Sequence, residues 1–557
     1  MIFGVSPETL RSRKFDTANQ GDLKMPLYSN AIRDERVRDY LPVRRVMLAE
    51  RVEKADILPG NTACQVSLSG LEKCCVLKHG ASLLVDFGIE LHGGIRIVNR
   101  GKAGRVRVRF GESASEAASS PNQDHAIHDA ELDVPAMGML EYGNTAFRFV
   151  RIDRVDDAEH DLRLMNILAV ALYRDLKRSG EFKCSDERLN RIWETGAYTL
   201  QLNMQDYIYD GVKRDRLVWM GDLHPEICGM LALFDDVRLI PKSLDFVRDI
   251  TPLPQVMNGI VSYSMWWVIN QYEYYLGRGD LEYLRNQREY LEALVAQLAG
   301  YVGRDGVEKV PPRRFLDWPS SGDETALHAG LHGLLCWTFQ CAAELYAALG
   351  LDAAALKRLV RRMKRYVPDC GRSKAAAAML TLSGVADRSD VLLRNPFRGV
   401  STFYGFYMLL AQPTASALKL IRRYWGAMLD YGATTFWEDF DLAWVKNASL
   451  ISELPVPGKA DLHADFGNYC YQGLRHSLCH GWASGPTPFL SRRVLGVKFL
   501  SPGGRRVEVN PDLGDLEFAK GSFPTPFGAI KVYADRSGKM EIFAPPEVEI
   551  KTTAPKK

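Results

Sequence analysis

A chain of 557 residues is too long for one hydrophobic core and calls for two to four domains. Its 46% hydrophobic and 25% charged residues are ordinary for a soluble globular protein. A formal net charge of +3 gives no electrostatic case for nucleic acid or an anionic membrane surface as a partner.

The opening MIFGVSPETLRSRKF lacks the apolar stretch of a secretory leader, and no segment reaches the length of a membrane-spanning helix. Ten cysteines at irregular spacing show no CxxC pair and no zinc-finger pattern. Cys336 and Cys341, in GLLCWTFQCAAEL, sit in apolar company, where a free thiol behaves as a small hydrophobe. A reducing, cytoplasmic compartment is the expectation, although removal of a leader would leave a periplasmic or secreted protein looking the same. No metal cluster with convincing ligand spacing stands out, and no cofactor is expected. The oligomeric state is not legible; a homodimer is compatible with the sequence.

In chain order, residues 1–40 read as an N-terminal extension and residues 41–178 as a β-sandwich. ASLLVDFGIELHGGIRIVNR gives short apolar runs broken by glycines, and GRVRVRFGES and FRFVRIDRV alternate with period two. That alternation predicts an antiparallel sandwich with one solvated face. Residues 179–490 then read as helical. Ser185 or Asp186 is placed to cap a helix carrying Leu189, Ile192 and Trp193 at helical spacing. Amphipathic or apolar segments follow between short Gly, Pro and Asp-rich breaks, the last of them GNYCYQGLRHSLCHGW (467–482). The basic run from Lys357 to Arg372 has helical spacing that turns Leu359, Val360 and Met363 inward, so it reads as a solvated helix face. About a dozen helices without a short repeat fit an α/α toroid, with loops at one end surrounding a central pocket. Residues 491–557 return to alternating runs separated by SPGG, NPDLGD and DRSGK, the pattern of a small C-terminal sandwich.

Four segments concentrate chemistry. Asp210-Gly-Val-Lys-Arg-Asp-Arg-Leu-Val-Trp-Met-Gly-Asp222 holds three carboxylates (Asp210, Asp215, Asp222), Arg214, Arg216 and Trp219, and its glycines argue against an unbroken helix. A solvated charged loop is the plain alternative for this segment alone. GATTFWEDF (432–440) puts Trp437 beside Glu438, which suits a sugar pocket in which a ring takes the apolar face of a pyranose and a carboxylate takes water or hydroxyls. A core Trp beside a surface Glu is the alternative. SLCHGWASGP (477–486) sets His480 and Trp482 at an expected helix end, and FLDWP (315–319) adds the pair Asp317 and Trp318.

Taken in order, Asp-x-x-x-Arg-(acid)-x-x-x-Trp-x-Gly-Asp, GATTFWE and His-Gly-Trp resemble the α-L-rhamnosidases of glycoside hydrolase family 78. The flanking LLVDFGIELHGGIRI, VRVRFGES and PGGRRVEVNPDLGDLEFAKGSFPTPFG resemble the family's sandwiches, so the similarity spans roughly residues 80–535. The resemblance implies an (α/α)6 barrel flanked by an N-terminal and a small C-terminal β-sandwich, in a compact member without the family's extra N-terminal sandwiches. It implies an exo-acting inverting hydrolase of terminal α-L-rhamnose. It assigns Asp215 as general acid and Glu438 as general base. Asp210, Arg214, Trp219, Asp222, Asp317, Trp318, Trp437, His480 and Trp482 become substrate-binding residues. The family usually has Glu where Asp215 stands, one methylene longer; Glu226, in His-Pro-Glu after Asp222, is the substitute acid to consider.

The physical logic runs beside the resemblance. Inversion uses one protonated carboxyl at the glycosidic oxygen and one carboxylate holding water, about 6.5–9.5 Å apart. Like-charge repulsion among Asp210, Asp215 and Asp222 favours a protonated carboxyl in that loop. Arg214 opposes it, so its side chain is expected to point towards another carboxylate. Two other readings stay open. One is a toroidal hydrolase for another terminal sugar, such as a uronic acid met by Arg214, Arg216, Arg313 and Arg314. The other is a non-catalytic carbohydrate-binding protein.

Overall fold

The computed structural model of the protein describes residues 32–120, 128–469 and 471–552. Residues before Arg36 belong to a separate unit, and those from Arg36 onward form one. Most of the expected N-terminal extension lies outside the described residues.

The first layer is built from β1 (Val37–Pro42), β2 (Arg45–Glu53), β3 (Cys75–Asn99), β4 (Gly104–Gly111), a short helix α1 (Ala114–Ala118), β5 (Asp129–Val134), β6 (Gly138–Arg154) and β7 (Leu162–Tyr173). The strands lie in the order β1-β7-β3-β6-β4-β5, with β2 on β3. The long β3 bends where its register against β6 slips, between Asp86 and Leu91 and again between Gly93 and Ile95. As a result Leu164 of β7 faces Cys75 at one end of β3 and Asn99 at the other. Gly93, at φ +144°, makes the bend tight, since a Cβ there would lie 2.0 Å from the Val170 carbonyl oxygen. The curled sheet closes over Leu83, Val85, Ile95, Ile97, Phe147, Val150 and Ile167.

The expected solvated face is absent from β3, which is buried at nearly every position from Ala81 to Asn99. Its second face is covered by the rest of the chain. Leu84 and Phe149 pack with Ala114 and Ala117, and the Glu90 N–H donates to Thr434 Oγ1 (2.9 Å). Arg148 pairs with Asp86 and donates to the Gly432 carbonyl. A strand packed on both sides reads as a continuous apolar run, which is what ASLLVDFGIEL is.

After β8 (Glu181–Cys184) come α2 (Glu187–Asn203), α3 (Leu223–Leu233), α4 (Leu239–Asp249), α5 (Val261–Arg278), α6 (Leu281–Ala299) and α7 (Glu324–Ala348). They continue as α8 (Ala354–Met363), α9 (Lys374–Leu382), α10 (Ser389–Leu393), α11 (Gly405–Leu410), α12 (Thr414–Asp430) and α13 (Pro486–Phe489). Asp186 caps α2, its side chain accepting from the N–H groups of Arg188 and Leu189. The odd-numbered helices from α3 to α13 touch one another in a closed circuit, α3-α5-α7-α9-α11-α13-α3. The even-numbered ones lie outside it: α2 on α3 and α13, α4 and α6 on α5, α8 on α7, α10 on α9 and α12 on α11. Composition follows position. Every residue of α3 is buried, whereas α8 buries only Leu356, Leu359 and Met363 and turns its arginines outward. No helix among the described residues is long and apolar enough to cross a membrane.

The segment 467–482 is not the expected helix. Its described residues hold one 3-10 turn, Gly473–Arg475, and the start of another, Gly481–Ser484, and His480 is extended and precedes that second turn rather than ending a helix. Gly467 and Gly473 take φ of +104° and +56°, which an α-helix cannot contain. Its backbone bonds to the neighbouring loop instead: Glu438 N–H to Ser477 O and His480 N–H to Phe436 O, both 2.9 Å.

The chain ends in β9 (Val497–Phe499), β10 (Arg506–Val509), β11 (Phe518–Thr525), β12 (Gly528–Asp535), β13 (Met540–Phe543) and β14 (Glu549–Thr552). They make two sheets, β14-β10-β9 and β13-β12-β11-β8. β8, which precedes the first helix of the circuit, is thus an edge of a C-terminal sheet.

Candidate active site

The loop between α2 and α3 carries the densest charge, and its backbone is closed on itself. The Asp210 N–H donates to Leu217 O (3.1 Å), and the Leu217 N–H donates back to Asp210 Oδ1 (2.9 Å). Gly211 forms a β-bridge with His480, and a Cβ on it would lie 2.9 Å from His480 Nδ1. At the turn, Asp215 and Arg216 take left-handed φ of +55° and +53°. Two consecutive non-glycine residues in that region store strain of about 1–3 kcal/mol each, a feature that clusters at functional sites. The turn pushes the Asp215 side chain out to 33% exposure while Arg214 stays buried.

Arg214 organises the cluster. Its Nη2 donates to both oxygens of Glu438 (2.7 Å each), its Nε to Arg475 O (2.9 Å), and its Nη1 lies 3.2 Å from Asp215 Oδ1. The ring of Tyr471 covers the guanidinium at 5.4 Å. Glu438, 3% exposed, also accepts from the Ser477 N–H (3.1 Å). The expectation that Arg214 turns to another carboxylate holds for Glu438, but Arg214 reaches Asp215 too. One guanidinium spanning both acids sets an upper bound of roughly 8 Å on their separation, compatible with the about 6.5–9.5 Å of an inverting pair.

On the other side of Glu438, His480 Nδ1 lies 3.8 Å from Glu438 Oε1 and Nε2 lies 3.2 Å from Asp222 Oδ1. Tyr263 Oη donates to Asp222 Oδ2 (3.1 Å). Burial decides the charges here. It pushes Asp222 up to about 8, and it raises Asp210 well above the carboxylate range with the help of Asp222. It lowers His480 to about 4, so the imidazole is neutral. The cluster therefore combines carboxyls shifted towards their neutral form and a neutral imidazole with the Arg214-held Glu438 and Asp215, a set of hydrogen-bonding groups suited to sugar hydroxyls.

Glu226 does not join them. It is fully buried, neither oxygen has a hydrogen-bond partner among the described residues, and it is raised well above the carboxylate range by burial. Its carboxyl presses on Gly481, where a Cβ would fall 1.6 Å from Oε1. It lies beside the cluster, with Asp222 and Asp210 adding to the rise, but without a bond to it among the described residues.

Trp482 stacks on Phe403 (4.9 Å between centroids) and donates from Nε1 to Glu438 O (3.0 Å), so it steadies the Glu438 backbone. Trp219 is half-buried, edge-on to Tyr263 at 6.0 Å. Trp437 is not a pocket wall: it is wholly buried in the core, edge-on to Phe440 at 5.5 Å. Asp317 accepts from Ser401 Oγ (2.5 Å) and from the Trp318 N–H, and burial brings it to about 7. Trp318 stacks on Tyr469 at 5.5 Å. Of the arginines that would favour an acidic sugar, Arg216 donates to Asn144 O, Arg314 pairs with Glu308, and Arg214 pairs with the cluster's Glu438 and Asp215.

Sequence reasoning missed Tyr263, Ser401 and Tyr471. Tyr263 sits in an apolar helix and Ser401 in a plain turn, with no local signal; Tyr471 lies within the segment misread as helix.

Next to Arg214, Lys213 turns the opposite way. Its ammonium lies 2.7 Å from Glu116 Oε1 and 3.6 Å from Glu112 Oε2, and it donates to Leu474 O and His476 O. Glu112 accepts from the Leu478 N–H (2.7 Å) and is pushed up to about 7 by burial. Two groups among the described residues bring ligand-type atoms together, Glu112, Glu116 and His463, and His224, Cys228 and Glu273. Each already holds a cationic side chain, Lys213 in the first and Arg492, 3.0 Å from Glu273, in the second.

Residues 177–333 match the model of the bacterial α-L-rhamnosidase six-hairpin glycosidase domain. An α-L-rhamnosidase of Alteromonas sp. (strain LOR) is 27% identical over 522 residues, covering 81% of this chain and 53% of that protein. One from Streptomyces avermitilis is 25% identical over 508 residues, covering 82% and 46%. The chain thus spans about half the length of these two relatives. A solved rhamnosidase from Klebsiella oxytoca with rhamnose bound superposes with a TM-score of 0.66 at 21% identity, covering 83% of this chain and 96% of that one.

Proposed function

We infer that this chain, a member of the α-L-rhamnosidases of glycoside hydrolase family 78, is an exo-acting hydrolase that removes terminal α-L-rhamnose with inversion. In this reading the closed circuit of six helices with six outside it is the (α/α)6 barrel, flanked by an N-terminal and a C-terminal β-sandwich. The observation that carries the mechanism is the guanidinium of Arg214 spanning Glu438 and Asp215.

Glu438, fixed by Arg214 and the Ser477 N–H, holds and deprotonates the attacking water. Asp215, exposed at the strained turn, protonates the departing oxygen, and the turn brings its shorter side chain forward. Asp210 and Asp222, neutral through burial, and Tyr263 receive the sugar hydroxyls. The charge of Arg214 is already met by Glu438 and Asp215, so the cluster suits a neutral deoxy sugar better than an acidic one. The test is hydrolysis of terminal α-L-rhamnosides followed by NMR from the first seconds. β-L-rhamnose released first is the expected product; α-L-rhamnose first would overturn the assignment of the two acids. Glu438→Gln separates an enzyme from a binding protein, since a binding protein would have no turnover to lose.

A further inference from the structure

The outer face of the β13-β12-β11-β8 sheet forms an open groove of about 770 Å³, well away from Arg214 in its lining. Strand register sets its composition. Lys183 on β8 lies opposite Lys520 on β11, and Lys520 lies opposite Tyr533 on β12. Two residues along β12, Lys531 lies opposite Phe543 of β13. Directly opposed residues on a sheet face sit roughly 5 Å apart and diagonal ones about 7–8 Å, so three ammonium groups share a small area. Like charges directly opposite destabilise a sheet, and the single acid left to offset them is Glu181. The other acids of the groove are engaged, Glu194 with Arg178 and Glu541 with Lys539. Phe543, 67% exposed, and Tyr533 present ring surface beside the lysines.

We propose that this groove binds an anionic polysaccharide bearing uronate carboxylates, holding the polymer while its neutral terminal sugar is removed elsewhere. Lysines at this spacing suit discrete carboxylates, and the rings suit the apolar faces of pyranoses between them. The Arg214 cluster suits a neutral sugar, so the acidic part of a mixed polymer is recognised here. The proposal rests on the glycosidase reading for its choice of a carbohydrate.

The test is calorimetric titration of the full chain with a galacturonate oligomer, a neutral glucan oligomer and inorganic polyphosphate, for wild type and the triple variant K183A/K520A/K531A. Galacturonate binding that weakens at least tenfold in the variant, absent for the glucan and weaker for polyphosphate, is the expected result. No galacturonate binding, binding unchanged in the variant, or equal binding of polyphosphate would overturn it. Hydrolysis of an aryl α-L-rhamnoside is measured alongside and stays unchanged in the variant. If the wild type fails to hydrolyse it, the catalytic reading falls, while the titration still decides the groove.

Discussion

Lys213 and Arg214 are neighbours of the same charge, both buried, and they do different things. Lys213 points into a sealed network with Glu112 and Glu116 from the β-sheet layer, while Arg214 points into the cluster that holds Glu438 and Asp215. The Lys213 network has no group left open to a substrate; its function is to tie the α2–α3 loop to the sheet and so place the Arg214 side. The Arg214 cluster keeps an exposed carboxyl, a strained turn and half-buried rings. Charge density in a loop therefore marks two jobs at once, anchorage and chemistry, and the exposure of Asp215, 33% against 3% or less for Glu112 and Glu116, tells them apart.

The largest effect that sharpens the contrast is Glu438→Gln. We expect kcat on an aryl α-L-rhamnoside to fall about 10³-fold, within the range for loss of a general base, with circular dichroism unchanged. Lys213→Met is the mirror experiment. It strands buried carboxylates and is expected to lower stability by about 3–5 kcal/mol in urea denaturation, with KM little changed in the folded fraction. A loss of kcat at full stability would erase the distinction between the two cations. Next, Asp215→Asn is expected to slow sugar-linked substrates about 10²-fold and aryl substrates less, because a good leaving group needs less protonation. Equal losses for both substrate types would point to a positioning role for Asp215.

A smaller effect concerns pH. Asp222 is raised from 3.8 to about 8 in the folded chain and Asp317 to about 7, so between about pH 4 and 8 the folded state holds more protons than the unfolded one. Their contribution to stability is full below about pH 4 and lost as pH rises through 7 to 8. Asp222→Asn should flatten that decline, read as Tm across pH 5 to 8. The smallest effect is Trp437→Phe, expected to cost roughly 1–2 kcal/mol of stability through a core cavity with KM unchanged. A raised KM would return Trp437 to the pocket wall.

Much of the site was legible because a thirteen-residue run with three acids, two arginines and two glycines cannot be an ordinary helix. Asp186 as a cap, the apolar α3 and the amphipathic α8 were legible for the same local reasons. The rest was not. The stretch 467–482 carries apolar spacing that imitates a helix, yet Gly467 and Gly473 adopt positive φ and the His480 N–H serves the Glu438 loop. β3 offers apolar runs broken by glycines, which beside the alternating GRVRVRFGES read as part of a one-sided sheet, yet both of its faces are covered. Tyr263 and Trp437 look alike in a sequence, as aromatics in apolar company, and differ only in what stands opposite them.

The sequence by itself determined the local elements, the caps and the residue types available for acid, base and hydroxyl recognition, because these follow from periodicity, side-chain hydrogen bonding and chemistry within a few residues. Tertiary structure alone decided which carboxylate each cation meets, which acids burial neutralises and which tryptophan faces the cluster. Those outcomes depend on contacts between segments such as Arg214 and Glu438, 224 residues apart. A coil loop has no repeat that would announce which way its side chains turn.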